Sequence, residues 1–193
     1  SALDTMSHAL ESMWNRNATN QSISHSKKSL KILFNSLQQL IDPLSGDNIQ
    51  LRSNLLEASM YAGYAIDKTR TALSHSISYP LTLMYNLPHG IASSFTLSSV
   101  LNFNKNKDDG RISKISQELG FENIEQLENK ILYFFIKLGG LKIMKKYINN
   151  FENILELTDQ MITPERSGNN LRDATINDIE NIINRTIKTF EDF

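Results

Sequence analysis

The sequence contains no cysteine. Disulfides, iron–sulfur clusters and thiolate metal sites are thereby excluded, and any metal ion must be held by histidine and carboxylate. Glycine and proline are scarce, 8 and 4 of 193 residues, about half the usual share, which argues against a turn-rich β architecture. Charge of one sign is lacking too. Lys+Arg number 20 and Asp+Glu 21, a formal net charge of −1, so neither nucleic acid nor an anionic membrane is expected as the main partner. The longest apolar runs fall well short of the about 18 residues that a membrane span needs. The amino end shows no basic and apolar regions of a secretory signal. A cytoplasmic protein is expected, with Ser1, in place of an initiator Met, marking a cut.

What the sequence does have is helical periodicity. Residues 2–14 carry Leu3, Met6, Leu10 and Met13/Trp14, spaced three and four apart. Residues 21–41 repeat the pattern through Ile23, Leu30, Ile32/Leu33, Leu37, Leu40 and Ile41, and are expected to stop at Asp42-Pro43. Asp47 is expected to cap a third helix with Leu51, Leu55, Ala58, Ala62 and Ala65/Ile66 on one face. The small residues there let another backbone approach closely. Between Thr69 and Asn104 small and hydroxylated residues crowd around Pro80 and Pro88. This predicts a helix ending near Tyr79-Pro80, a loop through Asn86 and a new helix opening at Pro88. Residues 111–119, 123–138, 141–148, 151–161 and 175–190 read as further amphipathic helices. Tyr133-Phe134-Phe135-Ile136 falls inside one of them and reads as helix rather than strand. With no internal repeat, residues 1–193 read as one all-α domain, long enough to bury a sizeable core.

Only four histidines occur: His8, His25, His75 and His89. Asp4 and His8, at i and i+4 on the first helix, share one face and can converge on one ion. His75 and His89 lie fourteen positions apart, and a turn at Asn86-Leu87-Pro88 can fold one towards the other. Three imidazoles and one carboxylate suit a divalent ion of the iron or zinc type. The spacing alone equally allows a helix-surface pair and two satisfied polar residues. His25, beside Lys27 and Lys28, reads as solvated.

The local wording adds a resemblance. Asp4-Thr5-Met6-Ser7-His8-Ala9-Leu10-Glu11-Ser12 resembles the Asp-x-x-x-His-x-x-Glu segment of the iron-containing (group III) alcohol dehydrogenases. Thr71-Ala72-Leu73-Ser74-His75, followed by Leu87-Pro88-His89-Gly90-Ile91-Ala92, is similar to that family's paired-histidine signature with the same separation. The resemblance is dense from residue 2 to about residue 104 and returns at Asn169-Asn170-Leu171-Arg172, where the family usually has Asn-Pro-Arg.

The family joins an N-terminal α/β nucleotide-binding domain to a C-terminal helical metal domain. This chain resembles only the second, a dehydroquinate-synthase-like α-domain built as a helical bundle, and contains no Gly-Gly-Gly-Ser or G-x-G-x-x-G loop. The resemblance therefore implies part of a larger two-domain enzyme in which NAD(P) is held through the other domain. It implies Asp4, His8, His75 and His89 as ligands of Fe(II), or of Zn(II) as in some relatives. The ion would polarise the carbonyl or alkoxide of a small alcohol or aldehyde during hydride transfer. Glu11 is either an acceptor for a ligand histidine's second N–H or a plain solvent-facing charge. Tyr79 stands where many relatives have another histidine. As a catalytic candidate it would donate a hydrogen bond to substrate; otherwise it is a buried aromatic before a proline. The wording His75-Ser76-Ile77-Ser78-Tyr79-Pro80-Leu81-Thr82 is also similar to a branch that reduces phosphonoacetaldehyde. Lys68, Arg70 and Thr71 would then be phosphonate contacts, although Lys68 and Arg70 equally read as helix-surface charges. Relatives often form homodimers. Two other readings stay open: a lyase-type relative using the same metal face, and a non-catalytic helical fragment.

Overall fold

The three- and four-residue apolar spacing becomes helix almost throughout the computed structural model, which describes residues 1–41, 48–191 and 193. In chain order the helices are α1 (Ala2–Met13), α2 (Asn20–Ile41), α3 (Ile49–Thr69), α4 (Leu73–Tyr85), α5 (His89–Ala92), α6 (Leu97–Lys105), α7 (Arg111–Glu118), α8 (Ile124–Lys137) and α9 (Gly140–Tyr147). A 3-10 helix (Phe151–Gln160), α10 (Pro164–Ser167) and α11 (Ile176–Glu191) complete the chain. The described residues hold no strand, only an isolated bridge between Asn15 and Asn170, and no helix long and apolar enough to cross a membrane. The all-α class is thus the one the sequence predicts, with residues 133–136 inside α8.

Three local expectations need comment. Asp42-Pro43 as a helix stop and Asp47 as a cap lie outside the described residues. The residue that caps α3 is Asn48, whose side-chain oxygen accepts from the Gln50 and Leu51 amides. The predicted break at Tyr79-Pro80 does not occur: α4 runs through Pro80 to Tyr85 and ends at Asn86, which takes the left-handed conformation with φ of 54°. Pro80 removes one backbone donor, but hydroxyls reinforce the turn around it. Ser78 Oγ donates to the His75 carbonyl at 2.8 Å and Thr82 Oγ1 to the Ser78 carbonyl at 3.2 Å. Residues 151–161, read as an amphipathic helix, form the tighter 3-10 winding.

α1 is the hub. Met6, Ala9, Leu10, Met13 and Trp14 are wholly buried, and the helix packs against α2, α3, α4 and α5. The small faces do what the sequence suggested. Ala58, Ala62 and Ala65 of α3 and Ser22, Ser26, Ser29 and Ser36 of α2 are buried where α3 packs on α1 and α2, and Ser29 Oγ reaches the Ala58 carbonyl at 2.7 Å. Such contact needs side chains no larger than these. The carboxyl half continues the same core through Ile131, Phe134, Phe135, Ile183 and Phe190, with Phe135 stacked on Phe190 at 5.6 Å. Gly139 turns α8 into α9 at φ of 83°, and a side chain on the next residue, Gly140, would run into the Phe135 ring at 2.6 Å.

Buried amides fasten the two halves. Asn104 and Asn170, both fully buried, exchange side-chain hydrogen bonds at 3.1 and 2.8 Å. The adjacent Asn169 carbonyl accepts the Arg16 amide at 2.9 Å. Arg111 Nη1 donates to the Met13 and Asn15 carbonyls at the end of α1. Replacing one partner strands the other's polar atoms away from water. Asn104→Ala is therefore expected to lower unfolding stability by about 2 kcal/mol in urea titrations followed by circular dichroism, whereas Asn181→Ala, at an exposed position of α11, is expected to stay within about 0.5 kcal/mol.

Candidate metal centre

Asp4 and His8 stand one turn apart on α1, with Glu11 one further turn along. The same helix sends Met6, Leu10 and Met13 into the core, so its polar stripe faces the amino ends of α4 and α5. α4 carries His75 in its first turn and α5 opens with His89. Gly90 lets α5 lie against α1, since a Cβ there would stand 3.2 Å from Asp4 Cβ.

The result is one carboxylate oxygen ringed by three imidazoles. Asp4 Oδ1 is 3.7 Å from His8 Nε2, 3.7 Å from His75 Nε2 and 3.6 Å from His89 Nε2. Asp4, His8 and His75 offer ligand atoms all within 4.8 Å of one another; His89 closes the group from the rim. The His8 and His75 rings stack at 4.8 Å, and His75 and His89 lie 5.4 Å apart. Ser93 Oγ donates to Asp4 Oδ1 at 3.1 Å. Burial is graded: side-chain exposure is 2% at His75, 27% at His8 and 44% at His89. The cluster therefore has a closed floor and an open side.

Glu11 lies beneath the floor. Fully buried, it accepts His75 Nδ1 at 2.6 Å, the Ala72 amide at 2.9 Å, the Ser74 amide at 2.5 Å and the His75 amide at 3.2 Å. Ala72, the residue that starts α4, has no side chain able to cap it. Glu11 from another helix does so, where the helix dipole favours a negative charge. Of the two readings the sequence left open for Glu11, the buried acceptor is the one found.

The electrostatics follow from these contacts. Burial opposes charge on His75, but Glu11 and Asp4 outweigh it and push the imidazole up to about 9. Burial likewise works against the Asp4 carboxylate, yet the three histidines hold it well below the usual range. Burial, only partly offset by Asp4, lowers His8 and His89, which leaves both rings neutral with a free lone pair.

The donor set fits a divalent cation. Ligand atoms about 2.0–2.2 Å from a tetrahedral ion lie about 3.4 Å apart, close to the separations around Asp4. His75 Nε2 is buried with no hydrogen-bond partner, an arrangement native interiors rarely leave. Its other nitrogen donates to Glu11, so Nε2 is the position whose proton a cation would replace.

The remaining candidates divide. Tyr79 lies beside the centre, its ring 6.3 Å from that of His89. It is partly exposed rather than buried, at 39%, and the Arg166 guanidinium lies 3.8 Å from its ring centre. Sequence reasoning missed Arg166 and Ser93; a pattern of single residues in a loop and a serine run offers no periodic signal. Lys68 pairs with Asp67 at 3.1 Å and lines a surface recess with Gln21, His25 and Tyr64, and no described contact joins Lys68, Arg70 or Thr71 to the histidines. His25 is not simply solvated: it is half-buried, 6.0 Å from the Tyr61 ring and 5.5 Å from the Tyr64 ring.

Comparison with known proteins gives a consistent match. Residues 1–187 match the model of the Fe-containing alcohol dehydrogenase family, C-terminal. The chain is 26% identical over 125 residues to 1,3-propanediol dehydrogenase of Klebsiella pneumoniae, covering 65% of this chain and 32% of that protein. It is 32% identical over 102 residues to phosphonoacetaldehyde reductase of Streptomyces viridochromogenes, covering 53% and 25%. Its fold superimposes on sulfoacetaldehyde reductase of Bifidobacterium kashiwanohense, solved with NAD+, with a TM-score of 0.82 at 23% identity, over 96% of this chain and 48% of the other. The chain thus spans about a quarter to a half of the length of these proteins.

Removing Glu11 leaves a buried imidazole and three amides without their acceptor. Glu11→Ala in the metal-free chain is expected to cost about 3–5 kcal/mol by chemical denaturation, and Glu11→Gln, which keeps an acceptor, to cost less than the alanine variant.

Proposed function

The chain belongs to the Fe-containing alcohol dehydrogenase family, and from that premise we propose that it is the metal-bearing part of a two-domain, nicotinamide-dependent alcohol dehydrogenase or aldehyde reductase. The observation that carries the reading is the convergence of three imidazole Nε2 atoms on one Asp4 oxygen over a buried, unpartnered His75 nitrogen. Asp4, His8, His75 and His89 would hold Fe(II), or Zn(II). When bound, such an ion supplies a Lewis acid for the carbonyl or alkoxide oxygen while hydride passes between substrate carbon and nicotinamide. NAD(P) would be held by a separate nucleotide-binding domain.

The chain's own residues do the rest. Glu11 keeps the His75 proton on Nδ1, so that Nε2 faces the cluster as an acceptor at neutral pH once a cation replaces its second proton. Asp4 offsets part of the cation's charge, and Ser93 fixes the orientation of its carboxylate. The buried floor around His75 shuts water out from below. The half-exposed His89 side is where a small alcohol or aldehyde enters. Tyr79, whose ring borders that edge, would offer its hydroxyl to substrate. The identity shared with the Streptomyces phosphonoacetaldehyde reductase supports an aldehyde as the oxidised partner.

Anaerobic reconstitution is expected to load the parent with one Fe or Zn per chain, measured by elemental analysis after gel filtration. His75→Ala is expected to lose stoichiometric metal while keeping its far-ultraviolet circular dichroism. Equal metal content in both would refute the ligand assignment, and a parent that never takes up metal would refute the oxidoreductase reading.

A further inference from the structure

Beside the histidines, at their open edge, lies a charge with no ion-pair partner among the described residues. The Arg166 guanidinium stacks on Tyr79, 3.8 Å from the ring centre. That ring stands edge-on to His89 at 6.3 Å. Among the described residues no carboxylate or carbonyl accepts from the Arg166 side chain, and its neighbour Glu165 makes no ion pair with it. A guanidinium carries five N–H donors in one plane. Stacking covers its face and leaves the donor edge free, which is the geometry suited to two-point binding of a carboxylate, phosphonate or sulfonate.

The position is also built rather than accidental. Arg166 belongs to α10, which packs on α4. Ser76 of α4 donates from Oγ to the Met161 carbonyl at 2.5 Å and accepts the Thr163 amide at 3.1 Å. Ser167 Oγ holds the Thr163 carbonyl at 2.9 Å, and Asn169 Nδ2 donates to the Thr71 and Glu165 carbonyls at 2.9 and 2.7 Å. The loop that carries the arginine is therefore fixed to the same helix that carries His75. The two ring contacts keep the guanidinium within about 10 Å of His89, the reach of a short chain plus one charge-assisted hydrogen bond.

The geometry points to Arg166, stacked on Tyr79, as the residue that selects substrate by its far end: a short aldehyde or alcohol whose other terminus is a carboxylate, phosphonate or sulfonate. This rests on the oxidoreductase reading for its reacting end, which lies at the histidines. Tyr79 in this arrangement is the platform that pre-orients the arginine, so that little side-chain freedom is lost on binding. Lys68 and Arg70, which the sequence offered for the same task, make no described contact with Asp4, His8, His75 or His89.

The test uses the intact, metal-loaded polypeptide with NAD(P)H. Succinic semialdehyde and phosphonoacetaldehyde serve as anionic aldehydes and butanal as the neutral control. The ratio of kcat/KM for the anionic aldehydes to that for butanal is expected to fall about 30-fold in Arg166→Gln. Arg166→Lys, which keeps the charge without the planar fork, is expected to recover only part of the loss. A second readout needs no turnover. Calorimetry is expected to show the parent binding 4-hydroxybutyrate more tightly than 1-butanol, with that difference lost in Arg166→Gln. Equal loss for charged and neutral aldehydes, as a structural role would give, overturns the proposal. So does a parent that binds the hydroxy acid no better than the alcohol. A metal-loaded parent that reduces no aldehyde counts against the oxidoreductase reading alone, since the binding comparison still decides the role of Arg166. The larger of the two anionic ratios distinguishes carboxylate from phosphonate.

Discussion

The contact on which the rest depends is the buried pair between Glu11 and His75. One carboxylate, wholly removed from water, caps the first turn of α4 and fixes the ring orientation of the histidine in that turn. A charge buried so deeply is tolerated only when its lone pairs are filled, and four donors fill them. Structure and chemistry are thereby coupled: the group that lets α4 begin where it does also decides which His75 nitrogen faces Asp4. Exchange by an isosteric apolar residue would preserve the packing volume and lose both functions.

From this pair the site grows outward in order of burial. His75 is fixed from beneath, and Asp4 and His8 come from the same hub helix two turns and one turn before Glu11. His89 arrives on α5, whose approach depends on the missing side chain at Gly90. The crowding of serine, threonine and alanine around α4 and α5 has the same origin. Two helices and a loop must pack closely against α1, and hydroxyls such as those of Ser7, Ser76 and Ser78 tie the backbone together where bulkier side chains would hold it apart. Arg166 is a consequence of the same anchoring, because the Ser76 contacts bring its loop to the open edge of the cluster.

The helical class, the core faces and the identity of the four clustered residues were legible from the sequence. The reason is that each rests on a local signal: apolar spacing on α1, α2, α3, α8 and α11, small residues on the α2–α3 contact, and two short histidine-containing motifs. What was not legible depends on contacts between distant segments. Pro80 looks like a helix end, but the hydroxyls of Ser78 and Thr82 carry α4 through it. Glu11 could be read either as a surface charge or as a buried acceptor, since only the packing of α1 against α4 distinguishes the two. His25 resembles a solvated residue beside two lysines until Tyr61 and Tyr64 of α3 come against it. Arg166 sits about ninety residues after Tyr79 in the single turn of α10 with no repeat to mark it, and only tertiary structure brings the two together.

The central claim is that Asp4, His8, His75 and His89 form one metal centre oriented by Glu11. X-ray absorption on the chain loaded with Zn(II) or Fe(II) tests it most directly. The account predicts a first shell of nitrogen and oxygen at about 2.0–2.2 Å, with the outer-shell scattering of three imidazoles and one carboxylate. A shell lacking imidazole scattering, or one identical in parent and His75→Ala, would contradict it.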